Sequence, residues 1–142
     1  MMRQISEKMG IQPGTRAHII GATPEALRAL ALPPLTLTDQ LEGDYPYLHL
    51  FVTSREQMET HFPVLRDHLS SDGILWVSWP KGKQLGTDLT LPEVIRIGYS
   101  HGLVESKTIA INTTWSAIKF TNPRPGQQYN NSYGTLPPPP SP

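Results

Sequence analysis

The chain contains no cysteine, which excludes a disulfide framework, a thiol nucleophile and a thiolate metal site. Neither sign of charge is in excess: Lys+Arg and Asp+Glu both number 12, for a formal net charge of zero. That balance argues against nucleic acid or a membrane surface as a partner held by bulk electrostatics. No apolar run approaches the roughly 18 residues of a membrane span, and Met1 to Lys8 carry no apolar leader core. The expectation is a cytoplasmic protein. Three chemical signatures are also missing: H-E-x-x-H, G-x-S-x-G and the phosphate loop G-x-x-x-x-G-K-[ST]. No internal repeat is visible. His61 and His68, on one face of a helix, stand about two turns apart, too far to share a metal ion directly. No metal or catalytic role is therefore assigned to any histidine.

What the chain does have is a strong central strand. Asp72-Gly73 is turn chemistry, and Ile74-Leu75-Trp76-Val77 that follows is a short, near-continuous apolar run. Such a run suits a strand buried on both faces, as in the middle of a mainly parallel sheet. Pro80 lacks an N–H and ends its pairing. Lys81-Gly82-Lys83-Gln84-Leu85-Gly86 is then polar and glycine-rich, free to face a ligand.

Around that strand the pattern predicts alternating strands and helices. A short helix over 4–9 stops at Gly10, and Ala17-His18-Ile19-Ile20 is a strand. Thr23 caps a helix with Pro24 at its first position, running to about Ala31. Leu35-Thr36-Leu37-Thr38 is a second strand and Tyr47 to Val52 a third. Thr53-Ser54-Arg55-Glu56 fits a capping box opening a helix to about Leu69, with a kink or break expected near His61-Phe62 because of Pro63. Thr90-Leu91-Pro92-Glu93 opens another helix, closed by Gly102. Leu103 to Asn112 and Trp115 to Thr121 form a hairpin. One connection is too short: about eight residues, Asp39 to Pro46, join the second and third strands, where a parallel crossover takes a dozen or more. Either a helix layer is missing there or residues 35–38 do not run parallel. Of 15 prolines, many lie after Asn122, where apolar content collapses. Residues 122–142 read as a disordered, proline-rich tail with polyproline II character at its end, leaving 1–121 as the folded domain.

This order of elements resembles the Rossmann-like fold of class I S-adenosylmethionine-dependent methyltransferases. Lys8 to Ala17 looks like their lead-in to the first strand, and Ser71 to Val77 like the helix-Gly-strand passage late in that fold. More closely, the chain resembles a bacterial family of compact, uncharacterised methyltransferase-like domains. The segments that carry this are His49 to Arg55, Leu75 to Lys81, Thr87 to Thr90, Gly102 to Glu105 and Thr114 to Phe120. The resemblance implies an α/β, Rossmann-like three-layer sandwich, shortened, with a mostly parallel sheet and a C-terminal antiparallel hairpin. It departs at the cofactor loop. Those enzymes follow the first strand with an acid and a Gly-x-Gly turn; here the stretch is Ile20-Gly21-Ala22-Thr23-Pro24, with one glycine and no acid.

In open α/β sheets, ligands sit beyond the carboxyl ends of the strands. That rule gathers Gly21, Thr23, Asp39, Thr53, Trp79, Lys81, Asp88 and Trp115 as candidate ligand-binding residues. Trp79 and Trp115 are suited to stack on a flat ring, Lys81 and Lys83 to hold an anion, and Asp39 to meet ribose hydroxyls. Asp88 is suited to act as a base or, beside Thr90, to favour a helix dipole. The expectation is a non-catalytic binding or interaction module with no resident cofactor, its partner a protein or a small molecule, with a homo-oligomer left open. The alternatives are a small S-adenosylmethionine-dependent methyltransferase and a nucleotide- or anion-binding sensor.

Overall fold

In the computed structural model, which describes residues 4–138, six strands form one sheet in the order β2-β1-β3-β4-β6-β5. The strands are β1 (Arg16–Ile20), β2 (Thr36–Leu37), β3 (Tyr45–Phe51), β4 (Leu69–Pro80), β5 (Val104–Ala110) and β6 (Trp115–Thr121). Pairings among β2, β1, β3 and β4 are parallel; β6 runs antiparallel to both β4 and β5. The expected closing hairpin is therefore present. Helices α1 (Ile5–Met9) and α2 (Pro24–Leu30) cover one face, α3 (Arg55–Arg66) and α4 (Leu91–Ser100) the other. This is the shortened three-layer sandwich that the order of elements predicts. Among the described residues no helix is long and apolar enough to cross a membrane.

β4 is buried on both faces, as its apolar run predicts. Leu75, Val77 and Trp79 pack with α3 and α4, while Trp76 packs with α1 and α2. The strand starts earlier than Ile74 because Leu69 pairs with Tyr45, and the surplus residues up to Gly73 form a bulge. Gly73 is needed there: a Cβ would meet the Tyr45 carbonyl oxygen at 2.8 Å.

The short connection resolves as a missing helix layer. β2 is parallel to β1, yet pairs only with Arg16 and Ala17 at its start. The chain thus has little distance to travel back, and residues 38–44 make the return without a helix. Tyr45 organises that loop, its hydroxyl meeting Thr38 Oγ1 at 2.7 Å, accepting from the Glu42 N–H and donating to the Gln40 carbonyl.

Three further expectations are corrected. α3 is capped by Ser54, which accepts from the Gln57 N–H, one residue later than the Thr53 box predicts; Gln57 Oε1 in turn accepts from the Thr53 N–H at 2.8 Å. α3 also runs unbroken through Pro63 to Arg66. Only the carbonyl one turn upstream loses a partner, and buried Met58, Phe62 and Leu65 hold the helix on the sheet. Finally, residues 122–138 are not free of the domain. Tyr129 and Leu136 pack on its core, the Asn131 amide donates to Glu105 Oε1 at 2.8 Å, and Gly134 lies against the Tyr99 ring. Residues 139–142 of the expected polyproline end lie outside the described residues.

Candidate functional site

Where β1 and β3 end, the sheet opens into a cleft of about 330 Å³. Ile20, Gly21 and Thr23 come from the β1–α2 turn, Phe51 and Thr53 from the end of β3, Gln57 and His61 from α3, Leu85 from the turn after β4, and Trp115 from the start of β6. The last follows from topology: an antiparallel strand begins where its parallel neighbours end.

Gly21 has φ of 80°, and a Cβ on it would collide with the Phe51 carbonyl oxygen. The glycine thus lets β1's turn close against β3. Thr23 Oγ1 accepts from the Ala26 N–H at 3.1 Å and caps α2, with Pro24 next in line as expected. On the far wall Gln57 Oε1 is occupied by the Thr53 N–H and hydroxyl, while its NH₂ has no protein acceptor among the described residues. Trp115 stands edge-on to Phe51, ring centroids 5.3 Å apart, and is 5% exposed. Leu85 is the opposite case, 64% exposed on a turn where it and Lys83 both adopt left-handed backbone. Among the described residues no Asp, Glu, Lys or Arg lines this cleft. Among the described residues no cluster of three His, Asp or Glu is placed to hold a metal ion.

Beneath the cleft lies a buried polar chain. Phe51 stacks on His49 at 4.4 Å between centroids. His49 Nδ1 meets the Tyr47 hydroxyl at 2.7 Å, and its Nε2 meets Ser78 Oγ at 2.6 Å. Complete burial drives the imidazole pKa down to about 3 and pushes the Tyr47 phenol up. His49 is therefore neutral, donating from one nitrogen and accepting at the other. Trp76, directly across from His49 in the β3–β4 register, has a buried indole N–H without an acceptor among the described residues.

Of the eight residues singled out from sequence, the structure brings Gly21, Thr23, Thr53 and Trp115 together in the cleft. Trp79 and Lys81 line a separate groove. The two tryptophans belong to opposite faces of the sheet and do not share a ring-stacking site. Asp88 Oδ1 accepts from the Arg55 N–H at 2.8 Å and so tethers the start of α3. Asp39 is exposed and outside the cleft lining, since β2 ends level with Ala17 rather than with Ile20. Sequence reasoning did not select Gln57, His61, Phe51 or Leu85. The first two carried a readable signal, being one turn apart on a capped helix that follows a strand's carboxyl end.

No protein-family model matches this chain, and no curated protein matches it. Solved structures do, at the level of fold. The ribosomal protein L11 methylase of Lactobacillus delbrueckii subsp. bulgaricus superposes with a TM-score of 0.53 at 14% identity, over 84% of this chain and 75% of that one. The magnesium protoporphyrin IX methyltransferase of Synechocystis with bound S-adenosylmethionine gives 0.54 at 14% identity, over 83% and 74%. A TehB-like S-adenosylmethionine-dependent methyltransferase of Corynebacterium glutamicum gives 0.53 at 11% identity, over 83% and 85%. The chain thus has the Rossmann-like fold of S-adenosylmethionine-dependent methyltransferases.

Proposed function

We propose that this chain is a cytoplasmic binding module on a methyltransferase frame, one of the compact methyltransferase-like domains its segments resemble. Its cleft takes a flat, uncharged heteroaromatic ring such as adenine, and it does not transfer methyl groups. The observation that carries this reading is the lining of the cleft. Trp115, Ile20 and Leu85 offer apolar walls, the Gln57 NH₂ and Thr53 offer hydrogen bonds, and among the described residues no carboxylate is present for ribose hydroxyls or an ammonium. Gly21 is used against the Phe51 carbonyl, so it adds no second glycine's worth of open backbone beside Ala22 and Pro24. At about 330 Å³ the cleft is also at the lower end of the roughly 300–1,000 Å³ of small-molecule sites.

The second reading, a small S-adenosylmethionine-dependent methyltransferase, is favoured by the fold shared with the enzymes above. Calorimetric titration with adenosine, S-adenosylmethionine and S-adenosylhomocysteine separates the two. The binding-module reading expects saturable heat from adenosine, weakened in Gln57→Leu, and no tighter binding of the two cofactor forms. Preferential binding of S-adenosylmethionine by about tenfold or more would overturn it in favour of the enzyme. No heat from any of the three would reject the adenine cleft under both readings.

A further inference from the structure

On the α3/α4 side of the sheet, the turn after β4 bounds a second groove of about 270 Å³, lined by Trp79, Lys81, Lys83, Leu89, Leu91, Thr108 and Ser116 among others. We infer that this groove is a site for a small aromatic acid, an aryl carboxylate, independent of the cleft at the end of β1 and β3.

Its floor is apolar. Trp79 is 4% exposed and Leu89 1%, and Leu91 at the start of α4 is 37% exposed at its rim. Its charged groups are both cations. Neither Lys81 nor Lys83 has an ion-pair or hydrogen-bond partner for its ammonium among the described residues, and the Trp79 indole N–H has no acceptor there. Ammonium and indole N–H can only donate, and the Thr108 and Ser116 hydroxyls add two groups that can do so. Among the described residues no carboxylate lines the groove. A pocket of donors over an aromatic floor is complementary to an anion that carries a flat apolar body.

The turn is built to hold the lysines in place. The Lys81 N–H donates to the Thr114 carbonyl at 2.8 Å, and the Gln84 side-chain amide donates to the carbonyls of Lys81 and Thr113, both at 3.0 Å. Lys83 holds φ of 59° and Leu85 of 55°, a conformation that L residues adopt at a cost and that clusters at binding sites. The backbone is thus pinned while both ammonium groups remain uncommitted. The volume falls below the roughly 300–1,000 Å³ of drug-sized sites, which favours a one- or two-ring acid over a nucleotide.

The test is calorimetry on the full chain with 1-naphthoate, its neutral isostere 1-naphthamide, and inorganic phosphate. Naphthoate is expected to bind saturably, about tenfold or more tighter than naphthamide or phosphate, and to weaken with added salt. Lys81→Gln with Lys83→Gln should remove about tenfold or more of that affinity. The same pair should leave adenosine binding unchanged, and Gln57→Leu should leave naphthoate binding unchanged, so that this site and the cleft fail or stand separately. Equal affinity for naphthamide would reduce the groove to an apolar patch. Equal affinity for phosphate would reduce it to two surface lysines. No saturable heat, or an affinity unmoved by the double substitution, would also overturn the assignment.

Discussion

The two faces of the sheet are built differently. Against α3 and α4 the centre of the core is apolar, with Leu48, Leu50, Val77, Phe62, Leu65, Val94, Ile97 and Phe120 essentially inaccessible, and its polar atoms, the Tyr45 and Tyr99 hydroxyls, bond to Thr38 and Glu105 at its margin. Against α1 and α2 the helices are short, and the sheet surface carries Tyr47, His49 and Ser78 as a buried hydrogen-bonded row beside the orphaned Trp76 N–H. The first face resembles an ordinary hydrophobic core, whose stability follows area and packing. The second depends on each polar group keeping its partner, because an unpaired buried one costs its full desolvation. It is also the face whose aromatic row, His49 to Phe51 to Trp115, leads up to the cleft. One face therefore sets how stable the domain is, and the other sets the conditions under which it stays folded.

The largest expected effect breaks the apolar face. Phe62 is fully buried and meets Phe120 edge-on at 5.3 Å between centroids. Phe62→Ala should lose about 3–5 kcal/mol, read as a lower urea midpoint, because α3 is held by the sheet on both sides of the void and collapses only in part. A loss below about 1 kcal/mol would mean that α3 repacks freely and that this face is not the dominant core.

Acid should break the other face. The folded-state pKa of His49, about 3, lies below its ordinary value of 6.5 because burial disfavours the imidazolium. Below 6.5 the unfolded chain binds the proton and the folded one does not. The stability His49 contributes is thus whole above pH 6.5 and is lost as pH falls toward 3, by about 3 kcal/mol at pH 4. Other groups titrate in that window, so the comparison is with the triple variant Tyr47→Phe, His49→Leu, Ser78→Ala, which removes all partners together. Its stability near pH 7 should be close to that of the parent, with the His49 part of the acid slope gone. An unchanged slope in urea titrations at both pH values would show that His49 reaches solvent.

How far these faces were legible in the sequence follows from what each depends on. The hydrophobic period of Met58, Phe62 and Leu65, the caps at Thr23 and Thr90, and the apolar run from Ile74 are local signals, and the helices and strands they predict are present. The row Tyr47–His49–Ser78 is not local. Tyr47 and His49 share a face by strand alternation, but Ser78 joins them only through the β3–β4 register. The cleft shows the same division. Gly21 and Thr53 follow from the rule about strand ends, whereas Asp39 was misplaced because nothing in 35–38 reveals that only two residues pair. Residues 122–138 were unreadable for a related reason: Tyr129 and Leu136 are too sparse to form a pattern, and the core they pack on, like the Tyr99 ring against Gly134, is far off in sequence.

A finer cut tests whether the polar face is a chain or merely polar. Tyr47→Phe deletes one hydroxyl and leaves His49 Nδ1 buried with no partner. The expected loss is about 1–3 kcal/mol at pH 7, more than the triple variant, which deletes more atoms but strands none. Equal losses in the single and triple variants, measured by thermal or urea unfolding, would show that the hydroxyl's own removal matters and the stranded nitrogen does not.

The smallest effect lies outside both faces, where α3 begins. Asp88 has two roles there: its Oδ1 accepts from the Arg55 N–H at 2.8 Å, and its Oδ2 lies 3.6 Å from Arg55 Nε, both side chains being 52% exposed. Asp88→Asn keeps an acceptor for the helix N–H and removes the charge, and an ion pair this exposed should cost no more than about 0.5 kcal/mol. Asp88→Ala removes both and should cost about 1 kcal/mol, the usual value of a capping acceptor. If the asparagine variant loses as much as the alanine one, charge rather than the hydrogen bond tethers α3, and raising the salt concentration should then weaken the parent by a similar amount. If it loses little, Asp88 is a helix tether. Ligand titrations decide between that role and the chemical one its position first suggested: binding unchanged in Asp88→Asn, which keeps an acceptor for the helix and removes the carboxylate charge, leaves the tether as the function of Asp88.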